Sequence, residues 1–235
     1  MTDRDARTDI FARLQHSASG LSNNDILREQ WALGSAPAPA LPGSDLHEAF
    51  LTNVLKNRGT VDCAVGRVGT VKAIAAHLYA NYRKHRLVAS NDQRLAALPW
   101  RDGGLLPRFG SVEANEQVAV SYARLGVAEL GAVVTFTGKA NAAANNLLPE
   151  QHVVLVDAAD VVTASEQAWE KIAALAEAEG RPRGINFIAG PSSTADIEGQ
   201  LVYGAHGPKA WHVILVGDIP DSILQQARAN AGVQT

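Results

Sequence analysis

The chain has 235 residues, 46% hydrophobic and 19% charged, with a formal net charge of −3. That is enough apolar material for a sizeable core, at a length α/β folds reach as one unit, while the acidic balance and the absence of a visible basic stripe argue against a nucleic-acid binder. Its one cysteine, Cys63, excludes an intramolecular disulfide and any iron–sulfur cluster held by four thiolates of this chain.

The first twenty residues carry no apolar core of signal-peptide length, and no segment approaches the roughly 20 apolar residues that span a bilayer. The expectation is a soluble cytoplasmic protein in a reducing compartment, without a membrane partner. Ile10, Phe11 and Leu14 share one helical face and predict a short amphipathic helix over 5–16, packed on the body or on a partner. The run LGSAPAPALPGS, 33–44, holds three of the ten prolines and reads as a semi-rigid linker. It divides the chain into an N-terminal helix with linker, 1–43, and a folded domain, 44–235.

Ser44 is placed as the cap of a helix with the apolar stripe Leu46, Phe50, Leu51, Val54 and Leu55, ended by Gly59. A buried strand over 60–65 leads through Gly66, Gly69 and Thr70 into a helix with Val71, Ile74, Leu78 and Tyr82 inward. That turn lacks the first glycine of the Gly-x-Gly-x-x-Gly fingerprint, and close strand-to-helix packing uses glycine as readily as a nucleotide does. A strand over 86–90, a short helix or turn over 91–100 and a loop over 101–110 follow, with Trp100 and Phe109 expected to pack on the sheet.

Residues 117–122 form the next predicted strand, and 126–134 read as two extended pieces bent at Gly131. Glu129 interrupts that apolar run, where a carboxylate is costly unless it is hydrated at an edge, paired or functional. The stretch 141–149 reads as a loop and 152–156 as a buried strand, with His152 in a capping or core role and not as a metal ligand. Thr163-x-x-Glu166 has capping-box spacing and opens a helix with Trp169, Ile172 and Leu175 inward and Gly180 beyond its end. A last short helix is predicted over 219–229.

The densest stretch is 184–216. An apolar strand ends at Gly190-Pro191, Ser192, Ser193 and Thr194 offer side-chain oxygens, and Ser193 with Asp196 has capping-box spacing, so a helix is predicted from Ser193 to Tyr203, stopped by Gly204. Ala205-His206-Gly207-Pro208 then leads into a strand buried on both faces, 211–216. A helix of that length spans about 16 Å and would set His206 and Ser192 at opposite rims of a parallel crossover. The polar residues here, with Glu198, read either as caps of an ordinary crossover or as a site on loops. His206 reads as a hydrogen-bond anchor or acid/base group, or as a packed histidine bonding a neighbouring carbonyl. Strands alternating with capped helices give an α/β fold with a mostly parallel sheet covered on both faces. Ligands in such sheets gather outside the carboxyl ends of the strands, where 190–198 is placed.

The runs GPSSTADIE, 190–198, and GAHGP, 204–208, resemble the C-terminal signature of the LUD-domain family, of the lactate utilization protein C type, with weaker likeness over 121–136 and 149–156. The resemblance implies a three-layer α/β/α arrangement similar to ribose-phosphate isomerases and coenzyme A transferases. It implies a component of a multisubunit system oxidising L-lactate to pyruvate, acting with iron–sulfur partner subunits. The motifs nominate Glu129, His206 and Asp196 for catalysis, and Gly190, Ser192, Ser193, Thr194 and Gly207 for binding a small carboxylate or other anionic ligand, with no metal or cofactor in this chain. Where the family pattern reads Ala-Glu-Thr-Gly-Thr, this chain keeps Ala128, Glu129 and Gly131 but has Leu130 and Ala132, which weighs against an activity needing those hydroxyls. Two other classes stay open: an acyl- or coenzyme A-transferring enzyme with Glu129 as nucleophile, and a non-catalytic assembly subunit.

Overall fold

The computed structural model describes residues 6–17, 22–34, 37–195 and 201–233. Its contacts divide the chain into two units, 1–38 and 39–235. The first holds α1 (Ala6–Ser17) and α2 (Asn23–Leu33). Ile10, Phe11 and Leu14 on α1 stand exposed. Helix α2 is absent from the sequence reading, although its start is a capping box, with Ser22 N donating to Asp25 Oδ2 at 3.0 Å and Asp25 N to Ser22 Oγ at 3.2 Å.

The second unit begins with α3 (Leu46–Lys56), whose cap is Asp45 and not Ser44: its carboxylate accepts from the amides of His47 at 2.8 Å and Glu48 at 3.1 Å. There follow β1 (Thr60–Ala64), α4 (Gly66–Tyr82), β2 (Arg86–Ala89), α5 (Gln93–Ala96), β3 (Leu106–Phe109), β4 (Val118–Tyr122), β5 (Leu125–Val127) and β6 (Ala132–Thr137). The chain continues through α6 (Ala143–Leu147), β7 (Gln151–Asp157), β8 (Val161–Val162), α7 (Ser165–Glu179), β9 (Gly184–Ile188), β10 (Ser193–Ala195), β11 (Leu201–Tyr203), β12 (Ala210–Val216) and α8 (Asp221–Asn230).

Six strands form one sheet, all neighbours parallel, in the order β1-β12-β7-β4-β2-β3. One face carries α4, with Val71, Ile74 and Leu78 buried against Val153, Leu155 and Ile214. The other carries α3 and α8, with Phe50, Leu51, Val54 and Ala227 in a cluster with Val154, Val156, Val213 and Leu215. Strands β7 and β12 are apolar at nearly every position because both their faces are covered. The architecture is the α/β fold with a mostly parallel sheet that the sequence predicts.

Three local readings change. Residues 106–109, read as loop, are the edge strand β3, whose Pro107 and Arg108 suit an edge where no further strand pairs among the described residues. Residues 143–147, also read as loop, make α6. Strands β9 and β12, read as two ends of one crossover, lie in different sheets: β9 closes a second, mixed sheet β8-β5-β6-β9, paired antiparallel to β6. Helix α7 covers that sheet through Ala168 and Ile172, which pack with Leu125, Val127 and Val134. Its Trp169, expected inward, is 52% exposed and tilted against Phe187.

Candidate functional site

Among the described residues, both ends of the helix predicted from Ser193 to Tyr203 are strand. Strands β10 and β11 pair antiparallel instead, Ser193 opposite Tyr203, Thr194 opposite Val202 and Ala195 opposite Leu201. Thr194, Val202 and Tyr203 are strand formers, and cross-strand pairing overrides the capping-box spacing of Ser193 and Asp196. Asp196 and Glu198 lie outside the described residues.

Because the segment doubles back, the two motifs meet. Ser192 N donates to Pro208 O at 2.9 Å and Gly204 N donates to Ser192 O at 2.8 Å. A Cβ on Gly207 would lie 2.8 Å from the Ser192 Cβ, so a glycine is needed for the approach. Ser192 and the His206 loop, which a helix would hold at opposite rims, are thus neighbours. Strand alternation separates Ser193, exposed, from Thr194, half-buried, onto opposite faces. His206 is exposed and makes no hydrogen bond among the described residues, so it is not a packed histidine anchored on a carbonyl.

The amides of Lys209 and Ala210 both donate to Glu150 O, at 2.9 and 3.0 Å, which seats this loop pair beside the starts of β7 and β12. It therefore stands at the amino-terminal rim of the six-stranded sheet and not at the carboxyl ends, because the strand that feeds it, β9, belongs to the other sheet. Gly190, at φ 110°, faces the Asn57 carbonyl so closely that a Cβ would lie 2.4 Å from it. Arg58 lies over the Tyr203 ring at 4.7 Å, and Asn57 Nδ2 donates to Leu130 O at 2.7 Å. The turn after α3 is thus the post on which both the Gly190 loop and the 129–131 turn lean.

Glu129 is paired. Its Oε1 accepts from Ser165 N at 2.6 Å and also from Ser165 Oγ. The carboxylate caps the first turn of α7, where the helix's partial positive charge favours an anion. The expected capping box of Thr163 and Glu166 is not what starts this helix; Thr163 N donates to Gln167 Oε1 at 3.0 Å, and the cap comes from a turn 36 residues earlier.

A cluster of which the sequence reading raised only the Gly66–Thr70 turn occupies the carboxyl rim of the large sheet. A cleft of about 250 Å³ is lined by Gly66, Arg67, Thr70, Arg94, Tyr122 and Asp157 among others. Tyr122 OH donates to Asp157 Oδ1 at 2.6 Å, and the Arg94 guanidinium lies 3.7 Å over the Tyr122 ring. Arg94 also pairs with Asp92 at 2.8 Å and Asp157 at 3.4 Å. Burial pushes the Asp92 carboxyl up, but the hydrogen bonds and charge of Arg94 outweigh it and hold the group below its ordinary value. Burial, reinforced by Asp157, pushes the Tyr122 phenol up and keeps it a donor. These residues come from four separate segments without motif spacing; the legible hint is that Tyr122 and Asp157 each close an apolar strand, where open α/β sheets place their sites.

Among the described residues no group of three or more His, Cys, Asp or Glu is arranged to hold a metal ion. His152 takes a core role: it is fully buried, 2.6 Å from Ser121 Oγ, and burial pushes its pKa down to about 3.

Residues 113–216 match the LUD domain family. That stretch is similar to a LUD domain. Lactate utilization protein C of Exiguobacterium sp. is 28% identical over 152 residues, covering 60% of this chain and 66% of that protein. Lactate utilization protein C of Macrococcus caseolyticus is 31% identical over 146 residues, 57% and 63% of the two chains. The uncharacterized protein YkgG of Escherichia coli is 41% identical over 101 residues, 42% and 44%. The chain thus spans less than two thirds of these curated relatives' length. A crystal structure of a DUF162 family protein from Deinococcus radiodurans, 21% identical, covers 75% of this chain and all of that one with a TM-score of 0.56, and shares the fold. Both motif loops, Glu129, Tyr122 and Asp157 fall inside the matched residues; Asp92 and Arg94 precede them.

Proposed function

We propose that this protein is a component of a lactate-utilising system, acting with iron–sulfur subunits in the oxidation of L-lactate to pyruvate. The names of the curated relatives support the pathway. Iron–sulfur partners are inferred from the chemistry, since lactate oxidation needs an electron acceptor and one cysteine cannot ligate a four-thiolate cluster. The observation that carries the reading is the closure of Gly190–Ser192 on Gly204–Pro208, which gathers the most specific motif residues at one half-buried place from which His206 stands exposed. Around it Leu147, Leu148, Leu201 and Val202 are exposed, apolar surface of the kind that partner subunits cover.

In this reading Gly190, Ser192, Ser193, Thr194 and Gly207 bind the carboxylate or position the partner, and His206 with Asp196 moves protons. Glu129 acts as an organiser of the α7 start. Its commitment to Ser165 gives the acyl- or coenzyme A-transfer reading less support than an assembly role. The test is L-lactate-dependent dye reduction by the complex purified from cells, with parent chain, with Ser192→Ala or His206→Ala, and without the chain. Loss of about tenfold or more with an unchanged melting midpoint in both variants supports the reading. Full activity without the chain sinks it.

A further inference from the structure

A second concave surface is built at the amino-terminal ends of β2, β3 and β4, from residues outside the two motif loops. It encloses about 620 Å³ and is lined by Arg83–Leu87, Leu106–Arg108 and Asn115–Val118. Arg108 is committed, donating from Nε to Glu116 Oε1 at 2.6 Å and from Nη2 to Ser111 O at 2.6 Å. Arg83, Lys84 and Arg86 are exposed and have no acidic partner among the described residues. The sequence reading saw no basic stripe, yet Arg83 ends α4 in the left-handed conformation, φ 50°, and the cations that follow line this wall together with it.

An ordinary reason for cations here is the negative end of α4, but that end carries roughly half an elementary charge. Three full positive charges exceed it several-fold. They stand in one cleft of a chain whose net charge is −3. Beside Arg86 and Leu87, on the paired edge strand, the lining turns apolar at Leu106, 53% exposed, and Pro107, and Val118 of β4 adds a buried apolar residue. The volume is within the range of about 300–1,000 Å³ that holds small ligands.

We propose that this cleft binds a nucleotide-sized phosphate ester, its phosphates paired by Arg83, Lys84 and Arg86 and its flat apolar part lying on Leu106 and Pro107. The arginine guanidinium forks match phosphate oxygens two at a time, and Lys84 adds a point charge. Burial of the apolar part selects such a ligand over a bare anion. The site is separate from the motif loops, so its occupancy does not rest on the lactate reading.

Calorimetric titration of the full chain with ADP, adenosine, pyrophosphate and polyglutamate, at low and high salt, tests this directly. The expected result is saturable ADP binding that weakens with salt, no binding of adenosine, and a loss of about tenfold or more in Lys84→Glu and in Arg86→Glu. Leu106→Ser is expected to weaken ADP and leave pyrophosphate unchanged. All three positions are exposed, and an unchanged melting midpoint checks each variant's fold. The proposal is overturned if ADP shows no saturable binding near millimolar concentration, if adenosine binds as well as ADP, or if the charge reversals bind like the parent. Polyglutamate binding while ADP does not would also overturn it, and would make this face a surface for acidic proteins.

Discussion

Replacing Glu129 by alanine removes the carboxylate that accepts from the first amide of α7, and it separates a scaffold role from a chemical one. The carboxylate accepts from Ser165 N at 2.6 Å and from the same residue's hydroxyl. Losing a cap costs about 1 kcal/mol, and losing an anion at a helix start about 0.3–1 kcal/mol, so the variant should lose about 1–2 kcal/mol. For a folded unit of this size each kcal/mol moves the melting midpoint by about 2–4 °C. The expected fall is therefore about 2–8 °C, read by calorimetry at neutral pH. Glu129→Gln keeps an acceptor for Ser165 and gives up only the charge, so it should lose about half as much. If Glu129→Ala melts within about 1 °C of the parent, the capping argument is wrong. If the glutamine variant keeps its midpoint but abolishes lactate oxidation in the complex, the carboxylate does chemistry in addition.

Burial pushes His152 down from 6.5 to about 3, with His77 and His212 shifted the same way, so below pH 6.5 the unfolded chain binds more protons than the folded one. Stability should be full above that pH and fall as pH drops towards 3, by up to about 1.4 kcal/mol per pH unit from His152 alone; urea unfolding at several pH values measures this, a shallower slope is expected in His152→Gln, and a flat profile in the parent contradicts it. Gly190→Ala forces a Cβ to 2.4 Å from the Asn57 carbonyl at a left-handed φ, whereas Gly180→Ala, also at positive φ, meets nothing within 4 Å. The first should cost about 2 kcal/mol or more and the second about 1, and equal losses in denaturant melts would show that the contact with Asn57 is not what fixes the glycine. The Cys63 thiol is pushed up from 9.0 to about 11, chiefly by burial and then by Asp62. Its thiolate fraction near neutral pH is then about 100-fold below the ordinary one, so iodoacetamide should label it slowly in the native protein, and complete labelling within minutes, followed by mass spectrometry, would refute this.

What the sequence determined by itself is the set of elements whose identity is written in a run of apolar residues. Strands β1, β2, β4, β7 and β12 and helices α3, α4, α7 and α8 are legible because burial on one stripe or on both faces leaves a period in the chain, and that period does not depend on partners far away. The parallel α/β class follows from their alternation. The two glycine-bearing motifs were also legible as the place where polar residues concentrate. Tertiary structure alone decided their geometry. A capping-box spacing at Ser193 and Asp196 is a local preference worth about a kcal/mol, and pairing of 193–195 with 201–203 outweighs it, setting two antiparallel strands where a helix was expected to begin and end and bringing Ser192 against Gly207. Sheet membership is likewise invisible locally: β9 and β12 read alike, yet β9 pairs with β6 and β12 with β1 and β7. Glu129 reaches Ser165, and Arg94 meets Asp157, across 36 and 63 positions; side-chain contacts at such separations leave no spacing in the sequence, because only the fold brings their backbones together.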